Sequence, residues 1–373
     1  MSTDQKLQSE QILFTRGVPP AEALPAGDLG ECFDSVVRND TSVVLQYGQQ
    51  RGYAPLRSQL AEEYGVSGDE VLISNGSLQL QDLLSSHLIE GGEKGGAVFT
   101  EQPSYDRAIL TFRRNGARVI GIPLEEDGID VDRLEAALQR EVPAFLYLVP
   151  DFQNPTGATL SLEKRRRVVA LAERYGFHIL EDIPYRKLRY RGEDLPLLRD
   201  LDSSGRVITV SSFSKLLSPG IRVGFMIGQK ALIDELTGLG ENTYLAPVLP
   251  TQAAVSEYLR RGMLEPNIEG LKELYTPRWE AMTSSVKREL PGATMFLSDG
   301  GFFVGLMLPE DANTDNLVGR AKEQGLILTP GESFFADSDD GQPLHGERFV
   351  RLPFCAVTTD QIEAGVSRLA SLV

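Results

Sequence analysis

The sequence predicts an α/β fold, in which a large domain built on a mostly parallel sheet precedes a smaller α+β domain. Short apolar runs typical of buried strands alternate with helical patterns from residue 71 to residue 228, which favours βαβ units. A polar cluster follows the C-terminal end of most of these strands, the edge at which doubly wound sheets bind ligands. After about residue 245 the chain changes to a long helix, paired strands and a final helix.

These patterns also predict the domain boundaries. We expect an N-terminal arm over residues 1–30, because this segment is polar and then rich in Pro, Gly and Ala. The large domain is expected over 31–245 and the small C-terminal domain over 246–373, with the arm joining the small domain.

Composition excludes several classes of partner. The 373 residues are 41% hydrophobic and 24% charged, as in an ordinary soluble globular protein. The formal charge is 37 − 53 = −16, which argues against nucleic acid and anionic membranes. The sequence shows no secretory signal, no membrane-length apolar run and no metal-ligand spacing. Cys32 and Cys355, far apart in the chain, indicate a reducing compartment, and we expect a cytoplasmic protein.

The first strand-end cluster follows the expected strand Val71–Ser74. Asn75, Gly76 and Ser77 come directly after it and open a helical pattern. Free N–H groups at a helix start favour a bound anion, and an ordinary serine N-cap is the alternative.

Three further strands, expected at 96–100, 144–149 and 177–182, are each associated with polar side chains at or just after their C-terminal ends. These side chains are Tyr105, Asn154, Asp182 and Tyr185. Between these strands, Asp132 with Glu135 three residues later predicts a capping box at the start of a helix. Because the carboxyl ends of parallel strands meet at one edge of a sheet, we expect the polar residues to converge there.

Lys215 lies on a short loop between the strand-like runs Arg206–Val210 and Val223–Gly228. Burial disfavours the charged form of a lysine, and a neutral amine is a nucleophile toward aldehydes. Donors suited to a phosphate accompany it: Ser212, Ser214 and Arg222. An aldehyde cofactor that carries a phosphate is pyridoxal phosphate (PLP). Taken alone the loop also fits a solvated surface lysine, and the strand-end clusters upstream are what favour PLP.

The combined motifs resemble the fold-type I PLP enzymes and, within them, the class I and II aminotransferases. The resemblance extends from about Leu45 to Arg351 and is nearest to the branch of 2-aminoadipate and broad-range aminotransferases. Its motifs are Leu45–Gly48, Asn75–Ser77, Phe152–Gly157, Glu181–Tyr185, Ser212–Lys215 and Pro219–Arg222. It implies an aspartate-aminotransferase-like fold with a seven-stranded sheet, and transfer of an amino group between an L-amino acid and a 2-oxo acid.

The resemblance implies a role for each site residue. Lys215 forms the Schiff base (internal aldimine) with PLP and, once freed, moves the Cα proton of the substrate. Asp182 faces the pyridine nitrogen, Asn154 and Tyr185 donate to the phenolic oxygen, and Tyr105 stacks on the ring. The catalytic residues are thus Lys215, Asp182 and Tyr185. The phosphate is held by Gly76, Ser77, Leu78, Ser212, Ser214 and Arg222.

The resemblance also implies the substrate side of the site and a partner subunit. Arg351 is expected to bind the substrate α-carboxylate in a two-pronged pair, beside Asn154. Tyr47 is expected to reach the phosphate of a neighbouring subunit, which implies a homodimer with shared active sites. Arg16 and Gly17 lie on the arm, where Arg16 would bind the distal carboxylate of an acidic substrate such as 2-aminoadipate or glutamate.

The same motifs leave other functions open. PLP makes any of three bonds at Cα reactive, so elimination, replacement, decarboxylation or a specialised biosynthetic step are alternatives to amino-group transfer. A ligand-sensing module of the kind attached to transcription regulators and a PLP-free α/β enzyme are further alternatives. The amino donor and the acceptor oxo acid do not follow from the sequence.

Overall fold

The structure, a computed structural model, describes residues 11–90, 96–296, 298–341 and 344–373. Residues 1–10 of the predicted arm lie outside the described residues. The longer helices are Ala26–Asn39, Ala54–Tyr64, Ser77–Glu90, Asp106–Arg114, Val131–Leu138, Leu162–Tyr175, Lys230–Tyr244, Leu249–Arg260, Leu264–Glu289 and Thr359–Ala370. The shorter α-helices are Thr41–Val44, Leu198–Leu201 and Leu317–Glu323.

The centre of the large sheet has seven strands within the described residues. Their spatial order is Arg118–Glu125, Ala97–Gln102, Phe145–Leu148, His178–Asp182, Val207–Ser212, Gly224–Ile227 and Val71–Ser74. All neighbours up to Val207–Ser212 pair in parallel, and Gly224–Ile227 is antiparallel to both of its neighbours. Six of the seven strands therefore point their C-terminal ends at one edge. The predicted mostly parallel sheet is confirmed, and the short strands Gly128–Ile129 and Asp337–Ser338 extend it beside Arg118–Glu125.

The central strands are apolar on both faces because helices cover both sides of the sheet. In Phe145–Leu148 all four residues are buried. Phe145 and Tyr147 belong to one apolar cluster, while Leu146 and Leu148 belong to a second cluster on the opposite face. Among the described residues, no helix combines the length and the apolar character needed to span a bilayer.

The helix Val131–Leu138 begins differently from the sequence prediction. Its N-cap is Asp130, whose Oδ1 accepts a hydrogen bond from the Arg133 N–H at 2.9 Å. The predicted capping box of Asp132 and Glu135 is therefore wrong. Asp130 has the extended backbone of an N-cap, and Asp132 already lies in the first helical turn, where its charge suits the helix dipole.

The arm contributes a strand, although the sequence indicated only an extended segment. Ile12–Phe14 pairs in parallel with Leu326–Leu328, more than three hundred residues further along the chain. A separate antiparallel sheet contains Thr294–Met295, Phe303–Met307 and Phe349–Pro353. Its register sets Arg351 opposite Gly305, the residue at which a Cβ would meet the Thr156 Cα. This sheet therefore packs closely against the loop that carries Asn154.

Candidate active site

The C-terminal edge of the large sheet opens into a cavity of about 520 Å³. Polar residues at or after the C-terminal ends of five different strands line it: Ser77, Tyr105, Asn154, Asp182, Tyr185, Ser212, Ser214 and Lys215. The remaining predicted residues that line it are Arg16, Gly17, Leu78, Arg222 and Arg351. The structure thus brings nearly all predicted site residues together, while Gly76 and Tyr47 do not line this cavity.

Lys215 lies on the loop after Val207–Ser212, and its Nζ donates to the Gly17 carbonyl oxygen at 2.7 Å. The Nζ lies 5.7 Å from the ring centroid of Tyr185 and 5.5 Å from that of Phe302. Burial lowers the pKa of Lys215 from 10.5 to about 8. A useful fraction of the amine is therefore neutral near physiological pH, as a nucleophile or a proton acceptor requires.

Asp182 ends the strand His178–Asp182 and is 4% exposed. Its Oδ2 accepts hydrogen bonds from Gln81 Nε2 and from the Tyr147 hydroxyl, each at 2.8 Å. Its Oδ1 is buried and has no donor among the described residues. Burial raises the pKa of Asp182 to about 7, while the two hydrogen bonds and the Lys215 charge oppose that rise. An acceptor of this kind matches the protonated ring nitrogen of PLP.

A helix start and an arginine form the end of the cavity suited to a phosphate. Gly76 has a φ of +98°, and a Cβ there would overlap the Arg222 guanidinium, so the arginine packs on bare backbone. Arg222 donates to the Asn75 and Pro219 carbonyl oxygens at 3.1 and 3.2 Å. The helix Ser77–Glu90 begins at this point, where its free N–H groups and its dipole favour a negative charge.

Arg351 is held in the cavity wall at 6% exposure. Its Nη1 donates to Asn154 Oδ1 at 3.0 Å, and its Nη2 donates to the Thr15 carbonyl oxygen of the arm. The guanidinium carbon lies 4.5 Å from the Phe334 ring centroid and 5.0 Å from that of Phe303. A guanidinium fixed in this way presents a charged donor for a ligand carboxylate.

The other predicted residues differ in how far they are built into the site. Tyr185 is 4% exposed and packs edge-on against Phe302. Burial raises the pKa of the Tyr105 hydroxyl to about 12. Arg16 is exposed, and within the described part of the chain nothing forms a hydrogen bond or ion pair with its guanidinium. Tyr47 is 82% exposed and does not line the cavity.

Gln81 and Tyr147, the two donors to Asp182, were not predicted as site residues from the sequence. A signal for Gln81 was available, because it follows Ser77 by four residues and so lies on the same face of the helix. Tyr147 is an inward-facing residue of an apolar strand, where a tyrosine is indistinguishable by pattern from a core aromatic.

The residues present therefore fit PLP at each of its functional groups. The Lys215 amine suits the aldehyde, the Asp182 Oδ1 suits the ring nitrogen, and the helix start with Arg222 suits the phosphate. Within the described residues, no group of three or more His, Cys, Asp or Glu side chains is placed to hold a metal ion.

Comparison with known proteins gives the same assignment from an independent direction. The family model for aminotransferase class I and II matches residues 6–369. The chain is 36% identical to 2-aminoadipate transaminase of Thermus thermophilus, over 96% of this chain and 89% of that protein. It is 32% identical to aromatic-amino-acid aminotransferase 1 of Thermococcus litoralis, over 98% of this chain and 88% of that protein.

Solved structures share the fold over the whole chain. The α-aminoadipate aminotransferase of Thermus thermophilus, complexed with N-(5'-phosphopyridoxyl)-L-leucine, matches with a TM-score of 0.89 and 34% identity. The kynurenine aminotransferase of Pyrococcus horikoshii matches with a TM-score of 0.90 and 31% identity. Each comparison covers 100% of this chain and 94% of the solved one.

Proposed function

The chain belongs to the class I and II aminotransferases, and on that basis we propose that Lys215 is its reactive lysine and that a dicarboxylic amino acid is its donor. The protein uses PLP to transfer an amino group between an amino acid and a 2-oxo acid. One observation supports the site most strongly: the Lys215 amine shares a cavity with the buried Oδ1 of Asp182, to which no described residue donates a hydrogen bond.

When bound, PLP supplies an aldehyde and an electron-withdrawing ring that make bonds at the substrate Cα reactive. Lys215 would offer its amine to that aldehyde, and its lowered pKa would let Nζ take and return the Cα proton near neutral pH. Asp182 Oδ1 would accept the hydrogen bond of the ring nitrogen, and Asn154 and Tyr185 would donate to the phenolic oxygen. Arg351 pairs with the α-carboxylate and so orients the substrate.

The choice of a dicarboxylic substrate depends on Arg16. The arm lies over the cavity, because the carbonyl groups on either side of Arg16 accept hydrogen bonds from Arg351 and Lys215. Arg16 itself lines the cavity, and no residue that the structure describes pairs with its guanidinium. With Arg351 assigned to the α-carboxylate, Arg16 supplies a second positive charge for the distal carboxylate of 2-aminoadipate or glutamate.

Steady-state kinetics with L-2-aminoadipate and L-phenylalanine test this assignment. We expect Arg16→Ala to lower kcat/KM for 2-aminoadipate about tenfold and to leave phenylalanine unchanged, because only the former has a distal carboxylate. Arg107→Ala is the matched control, since Arg107 also lines the cavity but pairs with Asp106, with 3.7 Å between Arg107 Nε and Asp106 Oδ2. Equal losses with both substrates would contradict the role of Arg16.

We further propose that two copies form a homodimer with shared sites. Leu45 and Tyr47 are 60% and 82% exposed, and Leu245 and Val248 are 58% and 51% exposed. The two segments lie side by side, since Gln50 donates to Glu241 at 3.0 Å. Exposed apolar side chains grouped in this way are typical of an interface.

Subunit mixing tests the shared site. Lys215→Ala and Tyr47→Ala chains, unfolded and refolded together, should regain activity, because each mixed dimer then has one site with both residues. If activity in the mixture equals the average of the two separate variants, Tyr47 acts within its own subunit or not at all.

Three broader assignments accompany this proposal. The free, buried cysteines Cys32 and Cys355 support a cytoplasmic location, and the net charge of −16 supports the absence of a nucleic-acid partner. For the domains, we propose that the arm and 246–373 form the small domain beside 31–245. The pairing of Ile12–Phe14 with Leu326–Leu328 supports that grouping.

A further inference from the structure

The Asp182 carboxylate is bound asymmetrically. Gln81 Nε2 and the Tyr147 hydroxyl both donate to Oδ2, each at 2.8 Å, and no described residue donates to Oδ1. Gln81 is 1% exposed and Tyr147 is fully buried, so water does not compete for these bonds. Oδ2 therefore accepts two hydrogen bonds from the protein, whereas Oδ1 accepts none from a described residue.

The two donors come from different parts of the fold. Gln81 lies one turn into the helix Ser77–Glu90, and Tyr147 lies on the strand that neighbours Asp182 in the sheet. Among the described residues, the Gln81 side chain forms one hydrogen bond, the one to Asp182, and its own Oε1 is buried with no described donor. A buried amide with an unmet acceptor costs free energy, and packing alone would be better served by an apolar side chain of the same size.

We propose that Gln81 and Tyr147 are positioning residues that direct Asp182 Oδ1 toward the ring nitrogen of PLP and keep the carboxylate ionised. This inference rests on the proposed role of Asp182 at that nitrogen. Two donors on Oδ2 fix the rotation of the carboxylate about its Cβ–Cγ bond, so Oδ1 is held where the ligand needs an acceptor. They also stabilise the charged carboxylate against burial.

The hydrogen bonds to Asp182 also determine where the proton between its carboxylate and the PLP ring nitrogen lies. A less basic carboxylate leaves the proton on the ring nitrogen, whereas the loss of a donor makes Asp182 more basic and draws the proton toward it. The ionisable groups that face Asp182 are Lys215, Tyr105, Tyr147 and Tyr185. Gln81 is uncharged, so its replacement changes the hydrogen bonding and leaves the charges of this set as they are.

The test is nitrogen-15 NMR of the holoprotein loaded with PLP that is labelled at the ring nitrogen. We expect Gln81→Met, which keeps the volume but removes the donor, to shift the resonance toward that of neutral pyridine. Tyr147→Phe should shift it in the same direction, and the double variant should shift it further than either. The dissociation constant of PLP should rise about tenfold in each single variant.

Gln59→Met is the matched control. Gln59 donates to the Ser256 carbonyl oxygen and accepts from the Ser256 hydroxyl, and it does not line the cavity. This variant should therefore leave the resonance and the PLP affinity unchanged. If Gln81→Met does not fold, as judged by thermal unfolding, Tyr147→Phe tests the same oxygen.

Asp182→Asn separates this inference from the proposed function. If Asp182→Asn shifts the resonance but Gln81→Met and Tyr147→Phe do not, the positioning role is wrong and the role of Asp182 stands. If Asp182→Asn also leaves the resonance unchanged, the role of Asp182 at the ring nitrogen is itself wrong, and the positioning role is wrong with it.

Discussion

The lowered pKa of Lys215 predicts how fast the apoprotein captures PLP at each pH. Only the neutral amine reacts with an aldehyde. The pKa falls from 10.5 to about 8, a difference of 2.5 units. At pH 7 this makes the neutral fraction about 300 times that of an ordinary lysine, roughly 9% against 0.03%. The capture rate should rise tenfold per pH unit below pH 8 and level off above it.

The assay mixes apoprotein with PLP, quenches with borohydride and measures the modified Lys215 peptide by mass spectrometry. The rate for N-acetyl-lysine amide in the same buffers, divided by the neutral fraction of its own amine, corrects for the pH dependence of the aldehyde. Lys215→Ala gives the background from other lysines. Arg351→Gln should move the midpoint upward, because the Arg351 charge helps to lower the pKa of Lys215. A corrected rate that still rises tenfold per pH unit between pH 9 and pH 10 would contradict the lowered pKa, since Lys215 would then titrate as a solvated lysine.

Three further predictions concern substrate binding, the contact of Asn154 with PLP, and stability. Arg351→Gln should raise KM for amino donors about tenfold to a hundredfold through loss of a charged two-pronged contact, and an unchanged KM in steady-state assays would contradict its assignment. Asn154→Ala should shift the visible absorbance of bound PLP, because a donor to the phenolic oxygen is lost, whereas an identical spectrum would argue against that contact. Arg165→Met should cost about 3–5 kcal/mol of unfolding free energy in urea titrations, because Arg165 and Asp151 are both fully buried and pair at 2.8 Å. A loss below about 1 kcal/mol would show that Arg186 compensates at Asp151.

The strand ends of the site could be predicted from the sequence because two local signals coincide there. An apolar run such as Phe145–Leu148 marks a strand buried on both faces, and the turn-forming residues after it mark where it stops. Parallel strands then place Asn154 and Asp182 at one edge by geometry alone.

Contacts that depend on backbone atoms or on tertiary packing could not be predicted from the sequence. Lys215 and Arg351 donate to the carbonyl oxygens of Gly17 and Thr15, and a carbonyl group is the same in every residue. The pairing of the arm strand with Leu326–Leu328 could not be predicted from the sequence either, because both runs are short and lie at opposite ends of the chain. Helix starts are ambiguous for a related reason, since Asp130 and Asp132 are chemically equivalent as caps.

The most direct measurement is the half-reaction of the purified holoprotein with L-2-aminoadipate in the absence of any oxo acid. We predict that the absorbance of the PLP form disappears while about one equivalent of 2-oxoadipate per subunit is released, with no such release in Lys215→Ala. Release of ammonia or carbon dioxide in place of the oxo acid, or an equal yield from Lys215→Ala, would contradict it.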